Sequence, residues 1–276
     1  MYMTDFEFNN KLLSDFDCIP CCINKSAGVE ELSIGADITF NTIKNNHSSI
    51  SYITSTSYED VYTTTFEICK NPCNKSQEEI YMSYEEARTL IRWLSQREYR
   101  KFKPISDYGD MHDIHYYGSF NIKQIMINGG IAGLSLTFTA NAPYGFGETI
   151  VNEFYVSENE SFYMYGDTDE CGVIYPKITL NIKQNSTQDV PFKMKNKTTG
   201  TELVIENCVE NETITIDGEY KIITTDNEEH QKTICDDFNY EYIDILVQDD
   251  SCENEYISTP CIVTFEYAPI RKVGVF

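Results

Sequence analysis

Basic residues are scarce. Against 44 Asp and Glu the chain carries 21 Lys and Arg, a formal charge of −23 over 276 residues. Phosphate neutralisation needs clustered Lys and Arg, so this balance argues against a general nucleic-acid binder and against docking on anionic membrane. No apolar run reaches the roughly 20 residues of a membrane helix, so no membrane insertion is expected. The opening Met1-Tyr-Met-Thr-Asp5-Phe-Glu-Phe8 is acidic and has no cationic stretch followed by an apolar one, so no secretory signal is read and synthesis in the cytosol is expected. Tryptophan occurs once, at Trp93, and histidine four times, at His47, His112, His115 and His230. A nucleophile elbow, a phosphate-binding glycine loop and a dinucleotide glycine fingerprint are all missing, which removes the commonest hydrolase, nucleotidase and dehydrogenase readings.

What is present is enough for real cores: hydrophobic residues make up 41% and aromatics 13%. Disorder needs sparse aromatics, so it is not expected. The length suggests two domains. The run Ala140-Asn-Ala-Pro-Tyr-Gly-Phe-Gly147 punctuates strongly and places the boundary there, giving domains at 1–147 and 148–276. Charge is uneven: residues 1–150 carry net −7 and residues 151–276 net −16.

Strand signals dominate. Ile34-Gly-Ala-Asp-Ile38-Thr-Phe40 alternates imperfectly, and Tyr62, Thr64, Phe66 and Ile68 share one face of a strand. Ser119–Ile127 runs into Asn128-Gly129-Gly130, a hairpin turn, and returns with Leu134, Leu136 and Phe138 on one side and Ser135, Thr137 and Thr139 on the other. One helix stands out, with Ser83-Tyr-Glu-Glu86 as a capping box and Ala87, Leu90, Ile91 and Leu94 as its apolar stripe. Arg97 is expected in its last turn and Trp93 at the edge of the core. The second half reads as short strands: Ile178, Leu180 and Ile182; Leu203 and Ile205; Ile214 and Ile216; Ile243, Ile245 and Val247; and finally Cys261–Tyr267. Gly200 and Gly218 mark turns in which glycine takes left-handed angles. The expected fold is therefore mainly β, an α+β N-terminal domain with one helix and a C-terminal β-sandwich.

Candidate chemistry is thin. Cys18, Cys21, Cys69 and Cys73 could supply four thiolates to zinc, but Ile19-Pro20 lies on extended chain and no knuckle follows. The favoured reading of the ten cysteines is reduced, mostly buried thiols acting as small hydrophobes. His112 and His115 have HxxH spacing without the accompanying zinc-protease pattern, and read as a polar loop pair. The acidic doublets Glu85-Glu86, Asp236-Asp237 and Asp249-Asp250 arise from composition in a chain this acidic. No catalytic, cofactor-binding or metal residue is assigned, and no cofactor is expected.

Several segments resemble a known family. Asp15–Cys18, Ser33–Asn41, Thr65–Pro72, Arg92–Glu98, Gly118–Asn121 and Leu134–Pro143, then Tyr175–Leu180, Asn196–Gly200 and Ile214–Gly218, are similar, in order and across nearly the whole length, to siphophage distal tail (Dit) proteins. The resemblance implies a structural, non-enzymatic tail-tip protein: a ring-forming N-terminal domain, a galectin-like C-terminal sandwich, and a homo-hexameric ring in the virion, assembled in the bacterial host's cytoplasm. Its implied partners are the tail tube protein, a tail hub or tail-associated lysin-type protein, and receptor-binding proteins, with no specific nucleic-acid binding. The cysteine richness departs from the family.

Twenty tyrosines suit protein interfaces, and acidic side chains lining a central channel would keep passing DNA from sticking. Two other functions stay open at this point. One is a carbohydrate-binding protein gripping host glycans through the C-terminal sandwich, with Tyr163, Tyr165 and Tyr175 as candidate stacking rings. The other is a cysteine-based metal or redox protein.

Overall fold

The computed structural model describes residues 3–23, 37–44, 49–73, 75–76, 79–106, 114–158, 160–247 and 252–272. They form two compact units, one comprising Met1–Gly147 with the C-terminal residues from Arg271, the other Glu148–Ile270.

In the first unit the strands are β1 (Asp5–Phe8), β2 (Lys11–Leu12), β3 (Cys18–Cys21), β4 (Ile38–Lys44), β5 (Ser51–Tyr58), β6 (Thr63–Lys70), β7 (Arg100–Ile105), β8 (Tyr116–Ile127) and β9 (Gly130–Ala140), with helix α1 (Tyr84–Leu94) between β6 and β7. Seven of these strands make one antiparallel sheet in the order β2-β1-β7-β8-β9-β6-β3, and among the described residues β4 and β5 pair only with each other. The alternation read from the sequence decides the core. Leu134, Leu136 and Phe138 of β9 are fully buried while Ser135, Thr137 and Thr139 are half-buried on the opposite face. The β8–β9 turn forms as expected, with Asn128 and Gly129 both at positive φ, 50° and 82°. Phe6 is the hub of an aromatic cluster, with ring centroids 5.5 Å from Phe102, 5.6 Å from Phe66 and 5.8 Å from Trp93.

Helix α1 begins at the expected capping box. The Ser83 N–H donates to Glu86 Oε2 at 2.7 Å, and the Glu86 N–H donates to Ser83 Oγ at 3.2 Å. Ala87, Leu90 and Leu94 are buried with Trp93, whose indole N–H donates to the Phe8 carbonyl at 2.9 Å. The helix ends at Leu94, so Arg97 lies beyond it and Arg92 is the cation of the last turn, a correction to the expected placement. Ser95, whose N–H still bonds Ile91 O, has already left helical angles.

The second unit contains β10 (Ile150–Val156), β11 (Ser161–Tyr165), β12 (Gly172–Ile174), β13 (Lys177–Ile182), β14 (Phe192–Asn196), β15 (Glu202–Ile205), β16 (Thr213–Asp217), β17 (Ile222–Thr225), the short α2 (Ile234–Asp237), β18 (Ile245–Val247), β19 (Glu253–Ser258) and β20 (Cys261–Tyr267). A five-stranded sheet, β10-β20-β13-β16-β17, and a four-stranded sheet, β11-β19-β14-β15, share one core. From the first come Ile178, Leu180, Ile182, Ile214, Ile216, Val263 and Phe265, and from the second Phe162, Met164, Phe192, Met194, Leu203, Ile205 and Tyr256. This is the expected β-sandwich.

Two details differ from expectation. Ile243 is buried but precedes the strand, which covers only Ile245–Val247. Gly200 takes φ +88°, but Gly218 does not take a left-handed angle: Lys221 does, at φ 59°. Gly218 is needed for space instead, since a Cβ there would stand 2.6 Å from the Pro176 carbonyl oxygen.

Candidate functional site

The β4–β5 ribbon leaves the largest cluster of apolar side chains of the first unit exposed among the described residues. Its sequence alternates like that of a strand with a face to bury. Yet Ile38, Phe40, Ile43, Tyr52 and Ile53, with Ile50 just before β5, are 45 to 61% exposed. Opposing residues run from Ile38↔Tyr58 to Lys44↔Ser51, with a register shift at Asn41/Thr42 that leaves Thr54 as the extra residue. The Thr54 hydroxyl ties the bulge down by donating to the Asn41 carbonyl at 3.0 Å. By moving the pairing one residue along β5, the bulge brings Ile53 to the face that carries Ile38 and Phe40. Ile43 and Tyr52 face each other on the opposite side. Each such side chain contributes about 1.5–3 kcal/mol when fully buried, and the lone subunit leaves that unused. The sequence expectation of a strand ending at Phe40 is met from Ile38 onward, and residues 34–36 lie outside the described residues.

β3 runs antiparallel to β6, with Ile19 opposite Cys69 and Cys21 opposite Glu67. Cys21 and Cys69 therefore share one face as diagonal neighbours. The neighbouring Cys21 thiol lowers the Cys69 thiol to about 7. The neighbouring Cys69, followed by burial and then the Glu67 charge, pushes the Cys21 thiol up. Cys18 points to the other face, where burial raises it to about 12 and its thiol donates to the Phe16 carbonyl at 3.3 Å. Alternation thus separates Cys18 from Cys21 and Cys69. Among the described residues no group of three or more His, Cys, Asp or Glu is arranged to hold a metal ion. The expectation of mostly buried thiols is corrected: Cys18, Cys208 and Cys261 are buried, Cys21, Cys69 and Cys252 are half-buried, and Cys22, Cys73, Cys171 and Cys235 are exposed.

The remaining candidates scatter. His47 and His112 lie outside the described residues, as do Asp249 and Asp250. His115 is buried, and its backbone exchanges two hydrogen bonds of 2.8 Å with Phe146. Glu86 caps α1 and accepts from Lys70 Nζ at 2.7 Å. In the second unit Tyr163 and Tyr165 stand exposed on one face of β11, and the Tyr165 hydroxyl donates to Glu253 at 2.5 Å. Tyr175 does not join them: its ring lies 3.5 Å from Lys221 Nζ, in the β16–β17 turn.

Sequence reasoning missed two buried polar groups of the second unit. Glu212 meets His230 Nδ1 at 2.6 Å, and Asp237 Oδ2 stands 3.5 Å from His230 Nε2. Asn196 donates to Asp244 and Asn254, and the Tyr256 hydroxyl donates to the Asp244 carbonyl at 2.9 Å. Glu212–His230, Asn196–Asp244 and Asp244–Tyr256 each join residues more than ten apart in sequence, a relation that no local spacing announces. No helix among the described residues is long and apolar enough to cross a membrane.

Residues 1–142 match the family described as phage tail protein N-terminal domain, and residues 144–267 match the phage tail C-terminal domain. The chain belongs to this phage tail protein family. No curated protein sequence matches it. Among solved structures, the crystal structure of the SPP1 Dit protein, described as a paradigm of the hub adsorption apparatus in phages infecting Gram-positive hosts, is similar at TM-score 0.63 and 12% identity, over 96% of this chain and 98% of that one. A chain of the phage P2 baseplate in its activated conformation with Ca matches at TM-score 0.45 and 10% identity over the same shares, 96% and 98%. The phage tail protein thus has the fold of a distal tail protein, and the resemblance read from its sequence is borne out.

Proposed function

We propose that six copies of this phage tail protein close into a ring at the virion tail tip. The first domain, residues 1–147, forms the ring, and the second, residues 148–276, is carried by it. The ring joins the tail tube protein to a tail hub or lysin-type protein and seats the receptor-binding proteins. Its work is binding and geometry, not catalysis. The carrying observation is the β4–β5 ribbon: an exposed set of Ile, Phe and Tyr side chains on a projecting two-stranded element is what a subunit keeps for its neighbour. The fold shared with SPP1 Dit, itself described as part of a hub, supports the same reading. The net charge of −23 suits a ring through which DNA passes without adhering.

Native mass spectrometry of the full chain, alone and with its tail-tube partner, tests the ring. A sixfold species is expected, and Phe40→Asp together with Ile53→Asp should abolish it while leaving a folded monomer. Persistence of the sixfold species in the double variant would reject the ribbon as the ring contact, and a wild-type chain that stays monomeric under both conditions would reject the ring.

A second reading, attachment to host glycans through the sandwich, has one observation in its favour: Tyr163 and Tyr165 are exposed side by side on β11, flanked by Glu253. Glycan-array binding by the full chain, lost in Tyr163→Ala, would support it, and an empty array would remove it.

A further inference from the structure

We propose that the free edge of β10 in the second unit docks one extended segment of another tail protein, which adds a strand to the five-stranded sheet and carries a Lys or Arg opposite Glu153. The sandwich has four edge strands, β10 and β17 in one sheet and β11 and β15 in the other. Two are capped by the chain itself. Beside β15, the Asn239 N–H donates to the Val204 carbonyl at 3.2 Å and the Val204 N–H donates to Asn239 Oδ1 at 3.1 Å, with a further bridge between Ile205 and Phe238. Beside β17 packs α2, and the Thr225 N–H donates to Gln231 Oε1 at 2.8 Å. β10 has no such cover. Among the described residues it is paired with β20 alone, from Ile150↔Tyr267 to Val156↔Cys261.

An exposed edge ordinarily carries something that stops a foreign strand from pairing: a proline, a lysine, a bulge or a very short strand. β3, an edge of the first unit's sheet, holds Pro20. β10 is seven residues long, contains no Pro or Lys, and keeps an unbroken register with β20. Val151 and Tyr155 stand 61 and 73% exposed on its outer face, with Glu153 between them. Ile150 and Phe154 pack against the core from the other face and remain only partly buried. An added strand would therefore find main-chain partners along the edge and apolar surface on both faces. Glu153 is the one charged side chain of β10. It selects against a second copy of this chain: in the fully overlapped antiparallel register Glu153 would face Glu153, and residues 151–276, net −16, would meet their like. A foreign segment with Lys or Arg at that position is attracted by the same charges, and apolar residues two places to either side of it cover Val151 and Tyr155. The inference needs the chain to be a tail component and does not need the sixfold ring.

The test compares the full chain alone with the same chain in purified tails. The outward-facing amides of residues 150–156 are expected to exchange hydrogen at least about 100-fold more slowly in the tail. A photo-reactive p-benzoylphenylalanine in place of Tyr155, irradiated in the tail, should link this chain to a different polypeptide, within an extended segment that contains Lys or Arg. Val151→Lys combined with Tyr155→Lys alters only exposed side chains, so the free chain should melt within about 2 °C of wild type. Tails built from that variant should hold at least about tenfold less of the linked protein, because lysines now guard the edge. Glu153→Lys should lower its amount in the same way, and Glu153→Gln less so. Equal exchange in chain and tail, links to a second copy of this chain, or an undiminished partner in Glu153→Lys or in the double variant would each overturn the proposal. The link found in tails that hold other than six copies would overturn the ring and leave the docking edge standing.

Discussion

The first domain holds two hairpins of similar sequence character and opposite fate. β9 alternates apolar and polar residues, and β4–β5 does so imperfectly, with Ile38, Phe40 and Ile53 on one face and Ile43 and Tyr52 on the other. In β9 the apolar set, Leu134, Leu136 and Phe138, is fully buried within the chain itself, whereas in β4–β5 the set around Phe40 and Ile53 is left largely exposed. Alternation therefore marks a strand that has a face to bury, and does not say whose surface will bury it. A covered face stabilises the monomer. An uncovered one would add its contribution only if another surface buried it.

The sharpest way to break this contrast is a pair of truncations. Leu136→Ala should cost about 3 kcal/mol of monomer stability, because the transfer and cavity terms add in a packed core. Phe40→Ala should change it by less than about 0.5 kcal/mol, since its ring is already in water. Urea denaturation of the two variants measures both. Equal losses would mean that the ribbon is covered within the monomer. A smaller effect comes from α1, which lies in the covered region: Ser83→Ala should cost about 1 kcal/mol by freeing the backbone N–H of Glu86, read as a lower denaturant midpoint with unchanged slope.

The smallest effect is pH-dependent. The Lys70 ammonium, then the Ser83 backbone N–H, hold the Glu86 carboxyl down at about 2 against an ordinary 4.5. A carboxyl lowered on folding stabilises fully above its unfolded value and loses that contribution as pH falls from about 4.5 to about 2. Glu86→Gln should flatten the acid limb of the melting temperature in that window while leaving pH 7 association unchanged. A ribbon contact made of apolar side chains should show no such titration.

Much of this fold was legible in the sequence. The capping box, the Asn128-Gly129 turn and the sandwich strands are local signals: a side chain meeting a backbone group three residues away, a left-handed pair, a period of two. The family resemblance rested on segments that fall largely on those elements. Where local rules ran out, the controlling contacts were distant. Gly218 is fixed by the carbonyl of Pro176, not by its own φ. Arg97 misses α1 because the chain turns at Ser95. Cys21 and Cys69 become neighbours only because β3 docks on β6 in one register, and Glu212 finds His230 only after the loop ahead of α2 folds back on β17. The ribbon's exposure was the least legible of all, since an apolar strand face reads the same in sequence whether or not its own chain buries it.

The most direct measurement is an electron-microscopy map of the intact tail at side-chain detail. Six copies of this chain should surround the channel where the tube ends, with Ile38, Phe40 and Ile53 of each copy lying under a neighbour. A map in which those side chains face solvent, or in which the chain sits away from the tube's end, would contradict the ring.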